Sequence, residues 1–510
     1  MLRLHLDYAS PSAYHADRAR ATLGLSADHD RRVHFKGKVK SEHVFLFRTA
    51  LRALGEVVWS NDNWYADGYY DILDPIITVH PDKVFFEVFS QDQSVHALAT
   101  FDRTLFETEG EVVCGSANVD FTAWLWNALG EMRSRRATWL QIDNAGFEVS
   151  TVGAGGRFEK KVEVPYSWVR AFLEVQSAAT LPGTRLRVRP VDLLSVIRFL
   201  RYSKPKTSPR AIRYEFDPGE PVRVVLEPWE ERFTLAGCHH NYGQRKVTRL
   251  WGRRRLRLLE PLLPFTDSIE VFLKGRALPS FYHLQLPGIE FTLGLSGWSR
   301  RSLSSEDGFH LTRPTTAPDN SRLQKGRDLL QQRFSLTVSE LAQAQTLSSS
   351  EAESLLTELC RNGEAFYQPD KQVFRSRQLF RNRPEPAKLY PPNPRMEKAC
   401  QLAESSQVEV TQCEPRETTR VKRLDSPRGK VLREIVYRDW HYEGRVADFE
   451  TVEVVVNDRD RIIFGKCGCP FFEANLLNQG PCEHMLALRL VAEKQRTDLP
   501  TSSPFREDQD

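Results

Sequence analysis

The stretch Cys467-Gly468-Cys469, followed after twelve residues by Cys482-Glu483-His484, decides how the end of this chain folds. It offers three sulfur ligands and one imidazole nitrogen at a spacing that is typical of a zinc site. Residues two apart in an extended segment lie on the same side, so each pair can hold one side of an ion. The sequence therefore predicts one bound Zn²⁺, with the ligands Cys467, Cys469, Cys482 and His484.

The residues around these ligands predict a hairpin and a helix. Segments 452–456 and 462–464 are rich in β-branched residues and are separated by the turn-like segment 457–460, which favours a β-hairpin before the first pair. The apolar run 485–493 favours a helix after the second pair. We therefore expect His484 in the first turn of that helix.

This pattern resembles the SWIM-type zinc finger. A strand pair leading to Cys-x-Cys, a variable spacer and Cys-x-His before an apolar helix are the features of that family, and all four ligand positions match. The resemblance covers roughly residues 450–492. It implies zinc binding and an interaction role with DNA or protein. It implies no particular reaction, because SWIM fingers occur in many unrelated proteins.

Other uses of the four residues are disfavoured. A disulfide between Cys467 and Cys469 has poor geometry, because side chains two apart in a strand lie parallel to each other. Four protein ligands leave no position for water, which favours a structural over a catalytic ion. Three thiolates on Zn²⁺ leave a net charge of about −1, which Lys466 and Arg461 could offset.

Length, charge and cysteine usage limit the class of protein. A chain of 510 residues predicts about three or four domains, and a net charge of +4 is too small to identify a partner. The remaining five cysteines are scattered and do not show the spacing of a disulfide framework, which indicates a reducing compartment. We find no signal peptide and no membrane segment. A cytoplasmic location is therefore expected, with the nucleus as the alternative.

The expected fold class is α+β and multidomain, with a large mixed α/β region at the N-terminus. Two segments of this region, 162–173 and 188–200, each predict a strand, a proline and a helix, and 121–129 is a looser third copy. The predicted divisions are an α+β region of one or two domains (1–310), a winged-helix-like domain (321–381), a proline-rich linker with a short helix (382–415), the SWIM-type module (416–495) with its β-hairpin and helix, and a disordered tail (496–510).

The winged-helix interpretation of 321–381 comes from three short helical segments and a hairpin. Thr337 and Ser348 are good N-terminal caps for the second and third helices, and 369–371 suits the tip of the hairpin. A wing with Lys371, Arg375 and Arg377 keeps contact with a DNA backbone as an option.

Base reading by the third helix is disfavoured, because Glu351, Glu353 and Glu358 would repel phosphates. A protein-interaction or spacer role is therefore preferred for this domain.

A basic stretch in the N-terminal region is the best candidate for an anionic contact outside the zinc module. It contains seven cations and no acid: Arg245, Lys246, Arg249, Arg253, Arg254, Arg255 and Arg257. On a helix, Arg249, Arg253 and Arg257 would share one face. Such a stretch suits nucleic acid, a protein partner or simply solvent. A second basic group precedes the finger: Lys422, Arg423, Arg428, Lys430 and Arg433.

Catalytic motifs are missing from the sequence. The glycine-rich segment 153–156 has no following Lys-Ser/Thr and is interpreted as a hairpin turn. Cys238-His239-His240 has no second ligand pair nearby, so it does not predict a metal site. The acidic stretch 62–74 has no lysine or histidine at the spacing that a nuclease site would need. We therefore expect no enzyme and no small-molecule substrate.

The resulting prediction is a zinc-binding adaptor that uses the SWIM-type finger in protein-complex assembly. The alternative is a DNA- or RNA-binding protein that uses the zinc module and the stretch 245–257.

Overall fold

A computed structural model describes most of the chain. The described residues are 3–8, 12–16, 18–28, 32–60, 74–121, 123–143, 160–205, 210–275, 279–296, 319–379, 394–426, 429–457, 462–475 and 481–498. The chain divides into two compact units, Met1–Leu389 and Tyr390–Asp510. No helix in the described ranges is long and apolar enough to cross a membrane. The mixed α/β fold class is confirmed.

The first unit is built mainly from β-sheets. Its strands before residue 300 are Arg3–Tyr8 (β1), Ala13–Ala16 (β2), Arg20–Ser26 (β3), His34–Val39 (β4), Ile76–Val79 (β5), Lys83–Phe89 (β6), Val95–Asp102 (β7), Phe106–Thr108 (β8), Gly115–Asn118 (β9), Ala137–Asp143 (β10), Lys160–Pro165 (β11), Thr184–Val188 (β12), Ile212–Phe216 (β13), Arg223–Leu226 (β14), Glu231–Thr234 (β15), Lys246–Leu250 (β16), Ser268–Leu273 (β17), Ser280–Leu286 (β18) and Ile289–Leu295 (β19). Its helices in this part are Val44–Val58 (α1), Ala123–Leu129 (α2), Tyr166–Thr180 (α3) and Pro190–Tyr202 (α4).

An eight-stranded sheet organises this unit, with the strand order β12-β17-β18-β19-β7-β6-β5-β9. The same part of the unit also contains a five-stranded sheet (β2-β3-β10-β4-β8), a four-stranded sheet (β15-β14-β13-β16) and the pair β1-β11. Only the β3–β10 pairing in the described residues is parallel. The two segments predicted as strand, proline and helix are β11 with α3 and β12 with α4, and Pro190 begins α4 as expected.

Strand β6 shows why its sequence is apolar almost throughout: both faces of the strand are covered. Phe86 lies on the α1 side of the sheet, where it contacts Phe101 with ring centroids 5.4 Å apart. On the other face, Phe89 contacts Phe172 of α3 at 4.7 Å, and Phe85 contacts Phe366 at 5.1 Å. A strand buried on both faces loses the hydrophobic–polar alternation of a half-exposed one.

Phe366 belongs to a helical module that follows residue 319. Its elements are Asn320–Arg333 (α5), Ser335–Leu336 (β20), Val338–Gln345 (α6), Ser349–Arg361 (α7), Ala365–Gln368 (β21) and Val373–Ser376 (β22). The strands form a small sheet in the order β20-β22-β21. Capping boxes at Thr337–Glu340 and Ser348–Glu351 begin α6 and α7 at the expected caps. The assignment of this module to the winged-helix class stays a prediction.

The second unit holds the zinc ligands. Its elements are Pro394–Glu404 (α8), Val408–Ser426 (β23), Gly429–Val446 (β24), Phe449–Asn457 (β25), Ile462–Lys466 (β26), Pro470–Asn475 (α9) and Glu483–Asp498 (α10). The strands form an antiparallel sheet in their chain order. Ala399 of α8 is buried in the same core as Tyr442 and Leu488. The zinc module therefore includes α8 and all of β23, whereas the sequence predicted that this module begins at residue 416.

Two glycines allow α10 to lie directly on this sheet. An ideal Cβ at Gly444 would stand 2.3 Å from the carbonyl oxygen of Glu409 and 2.7 Å from Cδ1 of Leu488, and one at Gly465 would stand 2.8 Å from Cε of Met485. Real Cβ atoms do not approach other atoms so closely, so any side chain at Gly444 must displace both the backbone of β23 and the Leu488 side chain of α10.

We expect Gly444→Ala to destabilise the second unit by about 1–3 kcal/mol, the usual range for overpacking a well-packed core. Gly468→Ala is the matched control, because the atom nearest to its added Cβ is Cδ1 of Phe449 at an ordinary 3.8 Å. Thermal denaturation of the zinc-loaded protein measures both. Equal melting temperatures for the two variants would contradict the packing argument.

Candidate metal centre

The four ligands come from three places that the sheet and its helix bring together. Cys467 directly follows β26, and Cys469 directly precedes α9. Cys482 precedes α10, with its carbonyl accepting the first helical hydrogen bond from the Leu486 N–H at 3.1 Å. His484 is the second residue of α10, as expected.

The geometry of the centre fits a tetrahedral metal. All four ligand atoms lie within 4.8 Å of one another. Cys467 Sγ is 3.7 Å from His484 Nδ1, and a tetrahedral zinc with ordinary bond lengths would separate these two ligand types by roughly 3.6 Å. The three cysteines are 4%, 2% and 0% exposed, in chain order. Three sulfurs and one imidazole nitrogen form the donor set of a closed structural zinc site.

The protonation of the thiols depends on their mutual contacts. The hydrogen bond to Cys482 raises the pKa of Cys467, and burial raises the pKa of Cys469. In Cys482, the hydrogen bond from Cys467 lowers the pKa to about 4, with a further hydrogen bond from His484 acting in the same direction. Because a metal needs all three groups as thiolates, zinc binding at this centre must release protons.

Backbone and side-chain groups of neighbouring residues hold the ligands in place. The Phe472 N–H donates to Cys469 Sγ at 3.4 Å, and the ring of Phe449 lies 4.4 Å from that of His484. Arg395 of α8 donates to the Pro481 carbonyl at 3.2 Å, next to Cys482, and its guanidinium lies 4.7 Å from the ring of Phe471. The contribution of Arg395 was not predicted from the sequence, because this residue lies in the segment predicted as a linker.

The predicted charge partners of the centre are only partly described. Lys466 is exposed beside Cys467, and Arg461 lies outside the described residues. The tip of the predicted hairpin at 458–461 also lies outside them, but its two strands, β25 and β26, are present as expected.

Comparison with known families agrees with this centre. Residues 452–491 match the SWIM zinc finger. This SWIM finger contains all four ligands, and the predicted resemblance is confirmed over the same part of the chain. It binds one structural Zn²⁺ through Cys467, Cys469, Cys482 and His484.

Comparisons over the rest of the chain are less informative. No curated protein matches the sequence. Among solved structures, proliferating cell nuclear antigen from Entamoeba histolytica is 10% identical, covering 52% of this chain and 97% of its own, with a TM-score of 0.33. A complex of the C-terminal region of FEN-1 with A. fulgidus PCNA is 11% identical, covering 51% and 97%, with a TM-score of 0.32. These TM-scores are too low to establish a common fold.

The basic stretch 245–257 does not form the predicted helical face. Lys246–Leu250 is strand β16, and Arg253–Leu259 is a 3₁₀ helix. Arg253 and Arg255 are buried: Arg253 donates to the Ala211 carbonyl, and Arg255 pairs with Asp92. The single-face interpretation of Arg249, Arg253 and Arg257 was therefore wrong.

The other cations of this stretch differ in their surroundings. Arg249 pairs with Glu227 at 2.9 Å, and Arg245 lies 3.4 Å from Asp217. Lys246 donates to the Tyr242 hydroxyl at 2.9 Å. Arg254 and Arg257 are exposed. The seven cations are thus divided between buried or paired positions and the surface.

The three cations of the predicted wing are paired with acids of the first unit. Arg377 is fully buried and donates to both carboxylate oxygens of Glu87, at 2.8 and 2.9 Å. Arg375 lies 2.9 Å from Asp82, and Lys371 pairs with Glu290. Contact of this wing with a DNA backbone would have to compete with these pairs.

A second cluster of possible metal ligands lies beside the same hairpin: His283, Glu290 and Asp370. Two ammonium groups, those of Lys83 and Lys371, contact Glu290 Oε1. Lysines at this position disfavour a cation, so the cluster is an ion-pair network. Cys238-His239-His240 belongs to no ligand group in the described residues, and His240 contacts the Asp217 carbonyl at 2.9 Å instead. Segments 153–156 and 62–73 lie outside the described residues.

Proposed function

We propose that the protein is a non-enzymatic, cytoplasmic adaptor whose SWIM module binds a protein partner along strand β26. The strand lies at the edge of the four-stranded sheet, immediately before the first zinc ligand. Edge strands offer unpaired backbone groups to a strand from another protein, with neighbouring side chains supplying specificity.

The exposed side chain of Phe464 carries this proposal. It is 49% exposed in the middle of β26 and is the one large hydrophobic side chain exposed in the described part of the second unit. A solvent-exposed aromatic residue on a free edge is typical of a contact site, since aromatic residues are enriched at the centres of protein interfaces.

Other features of the molecule support an adaptor. The zinc has four protein ligands and therefore no position for a substrate. The acids around Glu290 are used in ion pairs. None of the eight cysteines forms a disulfide, which suits a reducing compartment such as the cytoplasm. Nucleic-acid binding through 245–257 has less support, because two of its arginines are buried.

Phe464→Ser is expected to abolish partner binding and leave the zinc in place. Affinity capture with quantitative mass spectrometry, using the full-length protein, compares the wild type with this variant and with Val191→Ser, which alters a comparably exposed apolar residue of the first unit. We expect partners that are retained by Val191→Ser and depleted at least tenfold by Phe464→Ser, with one zinc per chain in all three proteins. A partner set unchanged by Phe464→Ser would refute the β26 site.

A further inference from the structure

One face of helix α1 in the first unit leads to a group of arginines. Phe45, Arg48 and Arg52 occupy positions i, i+3 and i+7, so they share this face of the helix. The loop between α2 and β10 packs against it: Arg48 donates to the Met132 carbonyl at 2.8 Å, and Arg133 donates to the same oxygen at 2.9 Å. Two guanidinium groups therefore meet at one carbonyl oxygen.

Two further arginines lie beside this carbonyl. Nη1 of Arg52 is 2.5 Å from the position that a Cβ at Gly130 would occupy. Arg136 lies near Tyr14 of β2: burial raises the pKa of the Tyr14 hydroxyl, and the positive charge of Arg136 acts against this rise. We call the four residues that share this surface the arginine cluster: Arg48, Arg52, Arg133 and Arg136.

The arginine cluster is rich in hydrogen-bond donors and poor in acceptors. None of its members forms an ion pair within the described residues, whereas Arg213 contacts three glutamates and Arg377 contacts Glu87. The buried Tyr14 hydroxyl likewise makes no hydrogen bond of ordinary geometry with the described residues. The acids beside the cluster in sequence, Glu56 and Glu131, are exposed. Counting both of them, a surplus of two positive charges remains.

Repulsion within the cluster favours a bound anion. Burial lowers the pKa of Arg48, and the charges of Arg133 and Arg52 lower it further. A phosphate monoester carries a charge of about −1.5 to −2 and offers three acceptor oxygens, which matches the surplus. A carboxylate offers one charge and two oxygens. Guanidinium groups also bind phosphate through two parallel hydrogen bonds, which favours a phosphate over other anions of the same charge.

An exposed pair of aromatic rings adjoins the cluster. The rings of Phe45 and Phe265 are 5.3 Å apart, and these residues are 42% and 37% exposed. The guanidinium carbon of Arg48 lies 4.9 Å from the centre of the Phe45 ring. A ligand that joins a phosphate to an aromatic ring can therefore place the phosphate on Arg48 and pack its ring against Phe45.

The exposure of the two rings favours a protein ligand over a metabolite. Sites for small molecules bury about 70–90% of their ligand, which requires a concave surface around it. Phe45 and Phe265 are open to solvent, so a ring packed on them needs cover from the other side. A protein partner supplies that cover with its own surface.

We propose that the arginine cluster and the Phe45–Phe265 pair bind a phosphotyrosine side chain of a protein partner. Arg48 and Arg133 donate to the phosphate oxygens, and Phe45 packs against the tyrosine ring. This site belongs to the first unit and does not involve β26, so it adds a phosphorylation-dependent contact to the one proposed for the SWIM module. Loss of either contact leaves the other to be tested.

The test measures retention of the full-length, zinc-loaded protein on immobilised peptide libraries. Each library has random neighbours around one central residue, which is phosphotyrosine, tyrosine or phosphoserine. Because charge-assisted hydrogen bonds contribute about 1.5–3 kcal/mol each, the phosphotyrosine library should bind about tenfold more tightly than the tyrosine library, or better. It should also bind more tightly than the phosphoserine library, which has no ring to pack against Phe45.

Four variants locate the binding. Arg48→Gln/Arg133→Gln should reduce retention to the level of the tyrosine library, and Arg48→Lys/Arg133→Lys, which keeps the charges without the planar fork, should also weaken it. Phe45→Ser should remove the preference for phosphotyrosine over phosphoserine. Arg198→Gln/Arg232→Gln is the matched control, because it removes two exposed arginines elsewhere in the first unit and should bind like the wild type. A melting temperature for each variant shows that it is folded.

Several results would overturn the proposal. Equal retention on the phosphotyrosine and tyrosine libraries would exclude phosphate recognition, and equal losses in the two Arg→Gln double variants would reduce it to general charge attraction. Unchanged binding by the Lys double variant together with the Phe45→Ser variant would exclude this surface. Displacement of the peptides by an equal concentration of free phenyl phosphate would indicate a site for small molecules.

Discussion

Replacing Cys482 with alanine is expected to empty the zinc centre and unfold the second unit, Tyr390–Asp510, while Met1–Leu389 keeps its fold. Zinc binding by such small modules supplies about 10–16 kcal/mol of apparent free energy, which is comparable to the total stability of a typical domain. Cys482 is completely buried at the start of α10, so its loss also separates that helix from β26. The zinc content measured by elemental analysis should fall from one per chain to none, and limited proteolysis should cut the second unit selectively.

Cys400→Ala is the control for this experiment. Cys400 is an exposed thiol on α8 in the same unit and contributes nothing to the centre. Its variant should retain one zinc and wild-type resistance to protease. One zinc retained by Cys482→Ala would show that the ligand set is wrong.

Replacing Glu87 with glutamine is expected to destabilise the first unit by about 3–5 kcal/mol. The change leaves Arg377 as a buried cation without its carboxylate, and breaking a buried pair from one side costs in this range. Glu87 and Arg377 are 1% and 0% exposed, so water cannot replace the lost partner. Urea denaturation measures the loss, and hydrogen exchange in β21 and β22 should show the helical module opening first.

Two further variants separate this pair from ordinary ion pairs. Arg185→Gln breaks a partly exposed pair with Glu270 and should cost no more than about 1 kcal/mol. Glu87→Leu with Arg377→Met removes both charges and should recover most of the lost stability. A loss for Glu87→Gln as small as that for Arg185→Gln would contradict the role of the buried pair.

The same pair gives the stability a pH dependence of known sign. Burial would raise the pKa of Glu87, but Arg377 and His96 lower it below its ordinary value of 4.5. A lowered folded-state pKa contributes stability that is fully present above pH 4.5 and is lost as pH falls through the lowered value. In the Glu87→Gln variant, the free energy of unfolding should therefore fall less steeply than in the wild type as the pH drops below 4.5.

The local elements of this protein could be predicted where the signal lies in neighbouring residues. The zinc ligands, the β25–β26 hairpin and the caps of α6 and α7 follow from short spacings and from the chemistry of Thr337 and Ser348. Whether a charged side chain is buried in an ion pair or exposed to solvent could not be predicted in the same way. Whether Arg255 or Arg377 faces water depends on Asp92 and Glu87, their respective partners, which lie 163 and 290 residues away in the sequence.

The extent of the zinc module was also hidden from the sequence. Pro391, Pro392 and Pro394 indicated a connector, although Pro394 begins α8, whose Ala399 is buried in the zinc module. Proline is common at the first position of a helix, so its presence did not separate the two possibilities.

Because β24 is continuous, a rotation at one end of the strand is transmitted to its other end. Residues 439–446 of this strand pair with β25 in the sheet beside the zinc centre, whereas residues 429–438 form, among the described residues, a two-stranded extension with β23 alone. With an arm of about 34 Å, a rotation of about 10° at the base moves the tip by about 6 Å. Slight repacking of α10 against Gly444 would thus redirect the far end of this two-stranded extension, so that a small local displacement becomes a large one.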